Sequence, residues 1–452
     1  MAGTVHPYGA AAIDPTALVD SHWEAVTPPL AFETPPLEED AACDVAIIGG
    51  GYTGLWAAKQ LADAHGLSVR VLEAARPGWG ASGRNGGFAC VGSSALSPDQ
   101  LIARYSLDEA RAFYRLQRDA IEHVRALLAT SDRDGGLSPD GEVELAHKAN
   151  RVAAFHGFAK TYQEQFGYKL TVLEKGDLAE RGLDGPGFFG GLVNPHGFAL
   201  NPLSYVRALA EAANEAGVLI HGDSLVTDWA SDNGQHVLKT ARGSLIARRV
   251  IVATNGYSRE TLVPWLSGRP LPAISAVMVT RSISEDDYQA QGFFSRTMSF
   301  DSRTLLHYFR RLPDDRLLFG GRGSLDASPA GLASARQRLR ADFEEMFPAW
   351  RSVETERVWS GFVCLTRDLV PYIGPIPDRP GAFAALGYHG NGVAFSSVAG
   401  RLVADLAVGA KGADNALPAV VRGPMRRFML PAARRLFLRA AYAGFGMVDR
   451  WV

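Results

Sequence analysis

The stretch Val45-Ala-Ile-Ile-Gly-Gly-Gly-Tyr-Thr-Gly54, followed nineteen residues later by Glu73, decides the fold of this chain. Its apolar run 45–48 is typical of a parallel strand buried on both faces. Apolar residues at helical spacing follow over 53–65, and Gly66 ends that helix. The next run, 68–73, predicts a second strand that ends in the acid. The order of strand, glycine turn, helix, strand and acid predicts a dinucleotide-binding unit.

Each glycine of this turn has a separate physical task. Gly49 permits the tight turn, Gly51 lets a pyrophosphate approach the backbone, and Gly54 lets the helix and strand pack closely. The helix N-terminus beside Thr53 then faces the phosphates. Glu73 is expected to bind a ribose 2′-hydroxyl, and an acid at that place favours FAD or NAD over NADP.

Bulk composition limits the class of protein. A chain of 452 residues with 47% hydrophobic and 21% charged residues predicts a globular protein of two domains. A net charge of −2 argues against binding to nucleic acid. Cys43, Cys90 and Cys364 have neither pairing nor metal-site spacing, which predicts no metal and a reduced, cytoplasmic setting. Residues 1–40 lack a signal-peptide pattern and are predicted as an extended surface arm, and no run is long enough to span a membrane.

Further elements follow from periodicity and turn residues. Helices are predicted at 98–130, 149–165, 202–216, 330–346 and 393–408. Strands are predicted at 141–148, 168–174, 274–284, 304–311 and 315–321, with a hairpin of 219–229 and 235–240.

Several different glycine-containing motifs lie along the chain. They are Gly80-Ala-Ser-Gly-Arg-Asn-Gly-Gly87, Val250-Ile-Val-Ala-Thr-Asn-Gly256, Leu317-Leu-Phe-Gly-Gly-Arg322, Trp359-x-Gly361, Thr366-x-Asp368-x-x-Pro371-x-Ile373-Gly374 and Gly387-Tyr-His-Gly-Asn-Gly392. Together with the opening turn and Ser21-His-Trp23, they resemble the D-amino-acid oxidase superfamily of flavoproteins, in particular the branch typified by γ-glutamylputrescine oxidase. The resemblance spans nearly the whole chain and implies FAD rather than NAD.

The resemblance implies an α/β fold, with a discontinuous Rossmann-like FAD-binding domain and an interleaved α+β substrate domain built on a mixed sheet. We expect the following segments: an arm, 1–40; the FAD-binding domain, 41–95, 190–264 and 359–421; the substrate domain, 96–189 and 265–358; and a basic tail, 422–452.

The resemblance also implies which residues hold FAD. Gly49, Gly51, Thr53 and Gly54 would meet the pyrophosphate, Glu73 the ribose and Val226 the adenine. The ribityl chain and the flavin would contact Ala81, Ser82, Arg84, Asn85, Gly86 and Gly87, and Gly256 would also belong to the FAD site. The pyrimidine edge of the flavin would contact Gly387, Gly390, Asn391, Gly392 and Val393, at a helix N-terminus that favours negative charge. A plain turn is the alternative for each glycine, and a surface charge is the alternative for Arg84.

The chemistry implied is hydride transfer to flavin N5 from a carbon next to nitrogen, after which the imine hydrolyses. Such a site mainly has to hold that carbon about 3–3.5 Å from N5 in the absence of water. Tyr308, Arg322 and His389 are the predicted substrate-facing residues. Each has a structural alternative: a core aromatic, an ion pair at a strand end, or a satisfied loop histidine. His307 falls on the other face of its strand and is predicted to be structural.

Three departures from relatives refine this expectation. Ala394 replaces a carboxylate-binding lysine of sarcosine oxidases, which favours a larger amine over a simple α-amino acid. Leu318 replaces an oxygen-activating lysine, so a dehydrogenase that uses an acceptor other than O2 stays open. The cysteine that attaches flavin covalently aligns near Gly361 rather than Cys364, which predicts non-covalent FAD.

The tail, 422–452, carries seven arginines against one acid, interleaved with apolar residues. It could lie on an anionic membrane as a basic amphipathic helix, or dock on the protein with its arginines paired. We favour the docked helix. The predicted activity is FAD-dependent oxidation of a secondary amine or polyamine derivative. The alternatives are an oxidase or dehydrogenase of amino acids with a remote carboxylate, which Arg322 would bind, and a non-catalytic flavin-binding protein that serves as a subunit or an assembly factor.

Overall fold

The computed structural model describes residues 5–451, without the side chains of residues 447, 448, 450 and 451. Residues 1–4 of the predicted arm and the side chain of Arg450 in the predicted tail therefore lie outside the described residues.

The strands, in chain order, are β1 (Ala41–Ile48), β2 (Val69–Leu72), β3 (Phe88–Ala89), β4 (Glu142–Leu145), β5 (Thr171–Glu174), β6 (Gly190–Asn194), β7 (Phe198–Ala199), β8 (Leu219–His221), β9 (Asp228–Asp232), β10 (Gln235–Lys239), β11 (Ser244–Val252), β12 (Pro270–Thr280), β13 (Met298–Asp301), β14 (Tyr308–Arg311), β15 (Leu317–Arg322), β16 (Thr355–Thr366), β17 (Tyr372–Pro375) and β18 (Ala382–Leu386).

The α-helices are α1 (His22–Val26), α2 (Tyr52–His65), α3 (Pro98–Tyr105), α4 (Leu107–Ala129), α5 (Ala149–Thr161), α6 (Lys175–Glu180), α7 (Pro202–Glu215), α8 (Glu285–Gln291), α9 (Pro329–Met346), α10 (Gly392–Ala407), α11 (Ala413–Ala416), α12 (Ala419–Arg422) and α13 (Arg434–Trp451). A π-helical segment covers Tyr162–Phe166, and short 3-10 turns cover Ala10–Ile13, Ala81–Gly83, Asn255–Tyr257, Pro264–Leu266, Pro348–Trp350 and Pro431–Ala433.

The first sheet has the strand order β17-β18-β11-β1-β2-β8, with the β9–β10 hairpin attached to β11. β1 is parallel to both of its neighbours, so that Ile47 lies between Val71 and Ile251. Its last four residues are buried, as predicted for a strand covered on both faces. α2 and α10 pack against each other and, with α4, form one apolar core beside this sheet. This is the Rossmann-like half of the α/β fold.

The second sheet has the order β16-β12-β15-β14-β13-β4-β6-β5 and is antiparallel except for the parallel pair β13–β4. One of its faces packs on a core rich in aromatic side chains, which includes Phe309, Phe319, Phe343 and Trp350. The other face carries Tyr308 beside Phe300 and looks towards the first sheet. The mixed sheet predicted for the second half is therefore present.

Local differences from the predicted elements have identifiable causes. The helix predicted at 98–130 is interrupted at Ser106, whose φ of 96° is not helical and whose hydroxyl accepts from Glu109 N–H at the start of α4. The predicted hairpin partner 219–229 is wrong in its first part, because Leu219–His221 pairs in parallel with β2. The hairpin itself is formed by β9 and β10.

Three segments lie elsewhere than the predicted domain division places them. α3 and α4, within 96–189, pack on the core of the first sheet against α10. β6, within 190–264, pairs with β4 and β5 in the second sheet. β16, within 359–421 for most of its length, pairs with β12 along the edge of the second sheet. The chain thus crosses between the sheets more often than its glycine motifs indicate.

The segment predicted as an extended surface arm is partly buried and carries helix α1. Trp23 is buried, and its indole N–H donates to Asn85 O at 2.9 Å. His6 is buried too, and its Nε2 lies 3.0 Å from Gly256 O. Leu37 joins the core of the first sheet. The arm therefore packs behind two of the glycine motifs instead of lying on the surface.

The basic tail forms α13, which docks on the protein. Most of its arginines have protein partners: Arg426 pairs with Asp368 at 3.2 Å, Arg434 with buried Glu260, and Arg435 donates to Leu325 O at 2.6 Å. Apolar side chains at 429, 430, 436 and 437 stay exposed beside them. Among the described residues, no helix is both long and apolar enough to cross a bilayer.

Candidate active site

A cavity of about 950 Å³ lies between the two sheets. On the first sheet it is lined at the ends of β1, β2 and β11, which is the edge where open α/β sheets bind ligands. On the second sheet it is lined by residues of β12, β14 and β15, and α13 borders it as well. Its volume is at the upper end of the range of about 300–1,000 Å³ for small-molecule and cofactor sites.

The first glycine turn is held so tightly that two of its positions exclude any side chain. Gly49 has a φ of +110°, a value that residues with a Cβ rarely adopt. A Cβ at Gly54 would lie 2.0 Å from Gly49 O, closer than any contact allows. The start of α2 can therefore approach β1 only because residue 54 is glycine.

Glu73 closes this turn through its carboxylate. Its Oε2 accepts from Gly50 N–H at 2.6 Å, and its Oε1 accepts from Ala75 N–H at 3.1 Å. Burial raises the pKa of this carboxyl, and the backbone donors oppose that shift. Glu73 lines the cavity together with Val226, and their contacts with the ribose and the adenine stay predictions. Glu73 also stabilises the glycine turn, through its hydrogen bonds with the backbone of Gly50 and Ala75.

The second glycine-rich loop caps α2 and carries a cation into the cavity. Ser82 Oγ accepts from Tyr52 N–H at 3.0 Å, in the first turn of α2. The Arg84 Nε donates to Trp79 O at 2.6 Å, and its guanidinium lies 4.3 Å from the centre of the Trp79 ring. Its Nη2 is buried and has no partner among the described residues. Arg84 is thus positioned by the loop but leaves one donor unused.

Asn85 and Gly87 act within this loop. The Asn85 amide donates to Ala81 O and Ser82 O, both at 3.0 Å, and its Oδ1 accepts from Gly87 N–H at 2.8 Å. The Asn85 side chain is therefore fully used in holding the loop.

Arg310, which sequence reasoning missed, ties the same loop to the second sheet. It is fully buried and donates to Gly86 O at 3.0 Å and Leu200 O at 2.6 Å. Burial lowers the pKa of its guanidinium to about 9. The only signal for it in the sequence is its position two residues after Tyr308, on the same strand face.

The third glycine turn presents a neutral histidine to the cavity. His389 has a φ of +52°, and its Nε2 lies 3.1 Å from Thr366 Oγ1. Because the Thr366 hydroxyl donates to Val370 O at 2.8 Å, we assign the imidazole proton to Nε2. Nδ1 is then a bare acceptor, buried and without a partner among the described residues. Burial lowers the pKa of His389 to about 4, so the ring is neutral near pH 7.

Helix α10 begins directly after this turn, and its N-terminus borders the cavity at Gly392 and Val393. Asn391, the N-cap residue, makes no capping bond with its side chain. That side chain instead donates to Gly92 O at 2.9 Å. The first N–H groups of α10 thus have no side-chain cap, and a helix start of this kind attracts negative charge.

Tyr308 lies on the cavity face of the second sheet. Its hydroxyl is 3.1 Å from Ser275 Oγ, and its ring packs edge-on against Phe88 at 5.6 Å between centroids. Burial raises the pKa of this hydroxyl to about 12. His307 points to the other face, where it lies between Asp301 and Asp342. Strand alternation thus separates a cavity-lining tyrosine from a structural histidine.

Arg322 lines the cavity at the end of β15, beside α13. It has no hydrogen-bond or ion-pair partner among the side chains that the structure describes. A Cβ placed on Gly446 of α13 would lie 3.9 Å from Arg322 Nη1. The alternative of an ion pair at a strand end is therefore not found in this part of the chain.

Glu142 is an acid of the cavity that sequence reasoning missed. It is buried, lines the cavity beside Cys90, and accepts from the Asn194 amide at 3.2 Å. Burial raises the pKa of its carboxyl to about 8. Its strand reads as ordinary alternation, so nothing in the local sequence marked it.

The cavity brings together all three predicted substrate-facing residues, Tyr308, Arg322 and His389. Most of the predicted cofactor residues line it too: Gly49, Gly51, Thr53, Glu73, Ala81, Ser82, Arg84, Asn85, Gly86, Val226, Gly390, Asn391, Gly392 and Val393. Four others lie behind its surface: Gly54, Gly87, Gly256 and Gly387. Gly54 and Gly87 allow close backbone approach; a Cβ on Gly87, for example, would lie 2.0 Å from Leu200 O. A Cβ on Gly256 or Gly387 would instead meet the side chain of Phe362 or Thr366. Thr53 bonds to the missed Tyr388 hydroxyl at 2.9 Å. Direct contact with a cofactor stays a prediction for every residue of the set.

The donors and acceptors left over in this cavity fit a dinucleotide. The N-termini of α2 and α10 suit the pyrophosphate and the electron-rich ring edge, respectively. Arg84 Nη2 and His389 Nδ1 are buried polar atoms that lack protein partners, and such atoms are rare unless a ligand or water satisfies them. The fold and the site thus define a class: a protein with two large sheets, whose cavity at the ends of the parallel strands β1, β2 and β11 is suited to a dinucleotide.

Comparison with known proteins specifies the family. Residues 44–406 match the family model described as DAO, FAD dependent oxidoreductase. The chain is 31% identical over 382 residues to the probable oxidoreductase OrdL of Haemophilus influenzae, covering 84% of this chain and 86% of that protein. It is 31% identical over 379 residues to the γ-glutamylputrescine oxidoreductase of Escherichia coli, covering 83% and 85%. The glycine oxidase structure from Geobacillus kaustophilus superposes with a TM-score of 0.65 at 26% identity, covering 81% and 95%.

This chain belongs to the DAO family of FAD-dependent oxidoreductases. The predicted superfamily, fold class and enzymatic nature are thereby confirmed.

Proposed function

We propose that this enzyme oxidises a C–N bond of an amine, either a secondary amine or a polyamine derivative such as γ-glutamylputrescine. One observation carries the proposal: the cavity has an unpaired cation on the second sheet, at Arg322, while residue 394 beside the glycine turn is a buried alanine. An α-amino acid needs a cation next to its reacting carbon. A longer amine with its charge at the far end fits this arrangement better.

Bound FAD would supply the hydride acceptor, and the surrounding residues would position the substrate and exclude water. Tyr308 of the second sheet and Phe88 of β3 offer aromatic surface to the cavity. His389 is neutral and offers Nδ1 as a hydrogen-bond acceptor. A neutral imidazole tolerates the uncharged form of an amine, which is the form that donates hydride.

We infer that FAD is held without a covalent bond. Residue 361 is a glycine, and the nearby Cys364 is buried, with the pKa of its thiol raised to about 12 by that burial. A thiol held protonated is a poor nucleophile towards a flavin. Acid precipitation should release the yellow colour into the supernatant, and a yellow protein pellet would refute this inference.

Anaerobic addition of amines tests the proposed activity. Mono-acylated putrescines and secondary amines should bleach the flavin absorbance, whereas glycine and sarcosine should bleach it more slowly. Faster bleaching by an α-amino acid would favour the amino-acid oxidoreductase. No bleaching by any amine or amino acid would favour the non-catalytic flavin-binding subunit.

The identity of the electron acceptor is a separate part of the proposed function. Leu318, at the position of an oxygen-activating lysine in relatives, is fully buried in the apolar core. We propose slow reaction with O2 and faster transfer to another acceptor. Peroxide detection in air, after the anaerobic assay, distinguishes an oxidase from a dehydrogenase. The cytoplasmic location stays a prediction. Membrane contact through the tail, 422–452, stays the less favoured alternative to the docked helix, and the apolar side chains at 429, 430, 436 and 437 are exposed.

A further inference from the structure

Helix α13 lies against the cavity, although it is outside the matched family segment, 44–406. Leu438, Tyr442 and Phe445 of this helix line the cavity together with Arg322. Leu438 is buried against Leu271 and Ala273 of β12. The helix therefore contributes to the substrate end of the cavity, and it does so with residues beyond the segment that defines the family.

Both ends of α13 are fixed to the body of the protein. At its start, Arg434 forms a buried ion pair with Glu260. Near its end, the Asp449 carboxylate accepts from Thr304 N–H at 2.8 Å and from Leu305 N–H at 3.0 Å. Leu305 itself lines the cavity. Fixed ends hold the turn at Gly446 at a defined distance from β15.

Arg322 is the arginine beside α13 that has no hydrogen-bond or ion-pair partner among the described side chains; Arg259, which also lines the cavity, belongs to the turn after β11. Its guanidinium is half-buried between β15 and α13, close to Gly446 and Tyr442. Removing a guanidinium from water is costly unless an anion or several acceptors replace the water. The fork of donors on arginine suits a carboxylate in particular. The described residues supply no such partner, so a ligand is its natural source.

We propose that Arg322 and the adjoining turn of α13 at Gly446 form a carboxylate-binding subsite, and that the substrate is an amine bearing a carboxylate remote from the C–N bond that is oxidised. The carboxylate site itself does not depend on the proposed amine oxidation. Only the statement that the other end of the substrate is an oxidised amine rests on that proposed function. Specificity for the remote carboxylate is then set partly by a helix outside the family segment.

Ligand binding tests the subsite without any turnover. The probe is N-butylsuccinamate, a carboxylate that lacks an oxidisable amine, with its methyl ester as the uncharged control. Calorimetric titration of the flavin-loaded protein should show the acid binding roughly tenfold to a hundredfold more tightly than the ester. Arg322→Gln should abolish that preference, and Arg322→Lys should restore part of it. Equal affinity of acid and ester for the wild-type protein would overturn the subsite.

A matched pair of variants on α13 tests the role of the helix. Gly446→Asp places a carboxylate next to Arg322 and should occupy the subsite, reducing the preference for the acid to near one. Gly446→Asn has the same shape without the charge and should keep the preference. If both variants lose it equally, steric blocking explains the loss and the proposed charge pairing is wrong.

Turnover with N-succinylputrescine and its methyl ester then separates the two proposals. The acid should reduce the flavin with a kcat/KM at least roughly tenfold above that of the ester, and this ratio should fall towards one in Arg322→Gln. Equal rates for acid and ester would refute the carboxylate preference while leaving amine oxidation supported. If neither compound bleaches the flavin but the acid still binds preferentially, amine oxidation fails and the subsite stands.

Discussion

The two ends of the cavity are built in different ways. At the end that carries Glu73 and Val226, the backbone defines the site: Gly49 has a φ of +110°, and Gly54 leaves no room for a Cβ. At the end that carries Tyr308 and Arg322, side chains from separate segments define it. We therefore expect the first end, the predicted cofactor end, to be sensitive to changes of backbone at Gly49 and Gly54. At the second end, the predicted substrate end, single side chains should be able to change specificity.

Gly54→Ala should have the largest effect, because the new Cβ would lie 2.0 Å from Gly49 O and neither backbone segment can move without opening the turn. We expect purified protein that contains little or no flavin and melts far below the wild type. Visible absorbance and thermal unfolding measure both effects. The matched control is Gly157→Ala in α5, where a Cβ meets nothing within 4 Å and should add up to about 1 kcal/mol of stability. If the two variants behave alike, the lack of space for a Cβ at Gly54 does not determine flavin content or stability.

Glu142→Gln, at the predicted substrate end of the cavity, should raise the unfolding free energy of the protein at high pH. Burial raises the pKa of the Glu142 carboxyl to about 8, above its value in the unfolded chain. The stabilisation that this carboxyl contributes in the wild type is therefore fully present below its pKa in the unfolded chain. It is lost as pH rises through about 8. Glutamine carries no charge to lose, so the variant should exceed the wild type by roughly 4 kcal/mol near pH 9 and match it near pH 4. Denaturant unfolding at both pH values checks this, and a gain that is independent of pH would contradict it.

Glu73→Ala should weaken the cofactor end by a smaller amount. The change leaves Gly50 N–H and Ala75 N–H without their acceptor in a buried turn, at a cost of about 3 kcal/mol. Glu73→Gln keeps one acceptor oxygen and should lose about half as much. Unfolding free energies should fall, and flavin dissociation constants should rise, in the order wild type, Gln, Ala. A glutamine variant as weak as the alanine variant would mean that the charge, rather than the hydrogen bonds, maintains the turn.

Tyr308→Phe should have the smallest effect. It removes a hydroxyl 3.1 Å from Ser275 Oγ, while Ser275 keeps its bond to Gly321 O at 2.9 Å. We expect a loss of about 1 kcal/mol in stability and less than about a tenfold decrease in the rate of flavin reduction. Stopped-flow reduction by the preferred amine measures the rate. A much larger decrease with unchanged stability would show that the hydroxyl contacts the substrate directly.

Sequence reasoning was most successful where neighbouring residues determine the structure. The turn from Gly49 to Gly54, the strand before it and the helix after it follow from local sterics, and α10 follows from the glycines before it. Leu219–His221 was paired wrongly, because its parallel partner β2 lies about 150 residues earlier and leaves no local pattern.

The substrate end was harder to predict for the same reason. Arg310 and Glu142 have importance only through burial, and burial depends on which strands become neighbours in the second sheet. The contribution of α13 depends on where a tail packs, although its amphipathic pattern did predict a helix that either docks or meets a membrane. Tyr388 was inside a recognised motif, but its bond to Thr53 required the relative position of α2 and α10.

The position of β1 in the first sheet has a consequence for biosynthesis. β1 lies between β2 and β11, and β11 in turn pairs with β18, more than 300 residues after β1. Translation at about 5–20 residues per second therefore leaves the apolar edge of β1 without its later neighbours for roughly tens of seconds. The turn before α10 lines the cavity, so the cavity is complete only after residue 393 has been synthesised. Folding of the first sheet should therefore depend on chaperones that cover the edge of β1 until its later neighbours have been synthesised.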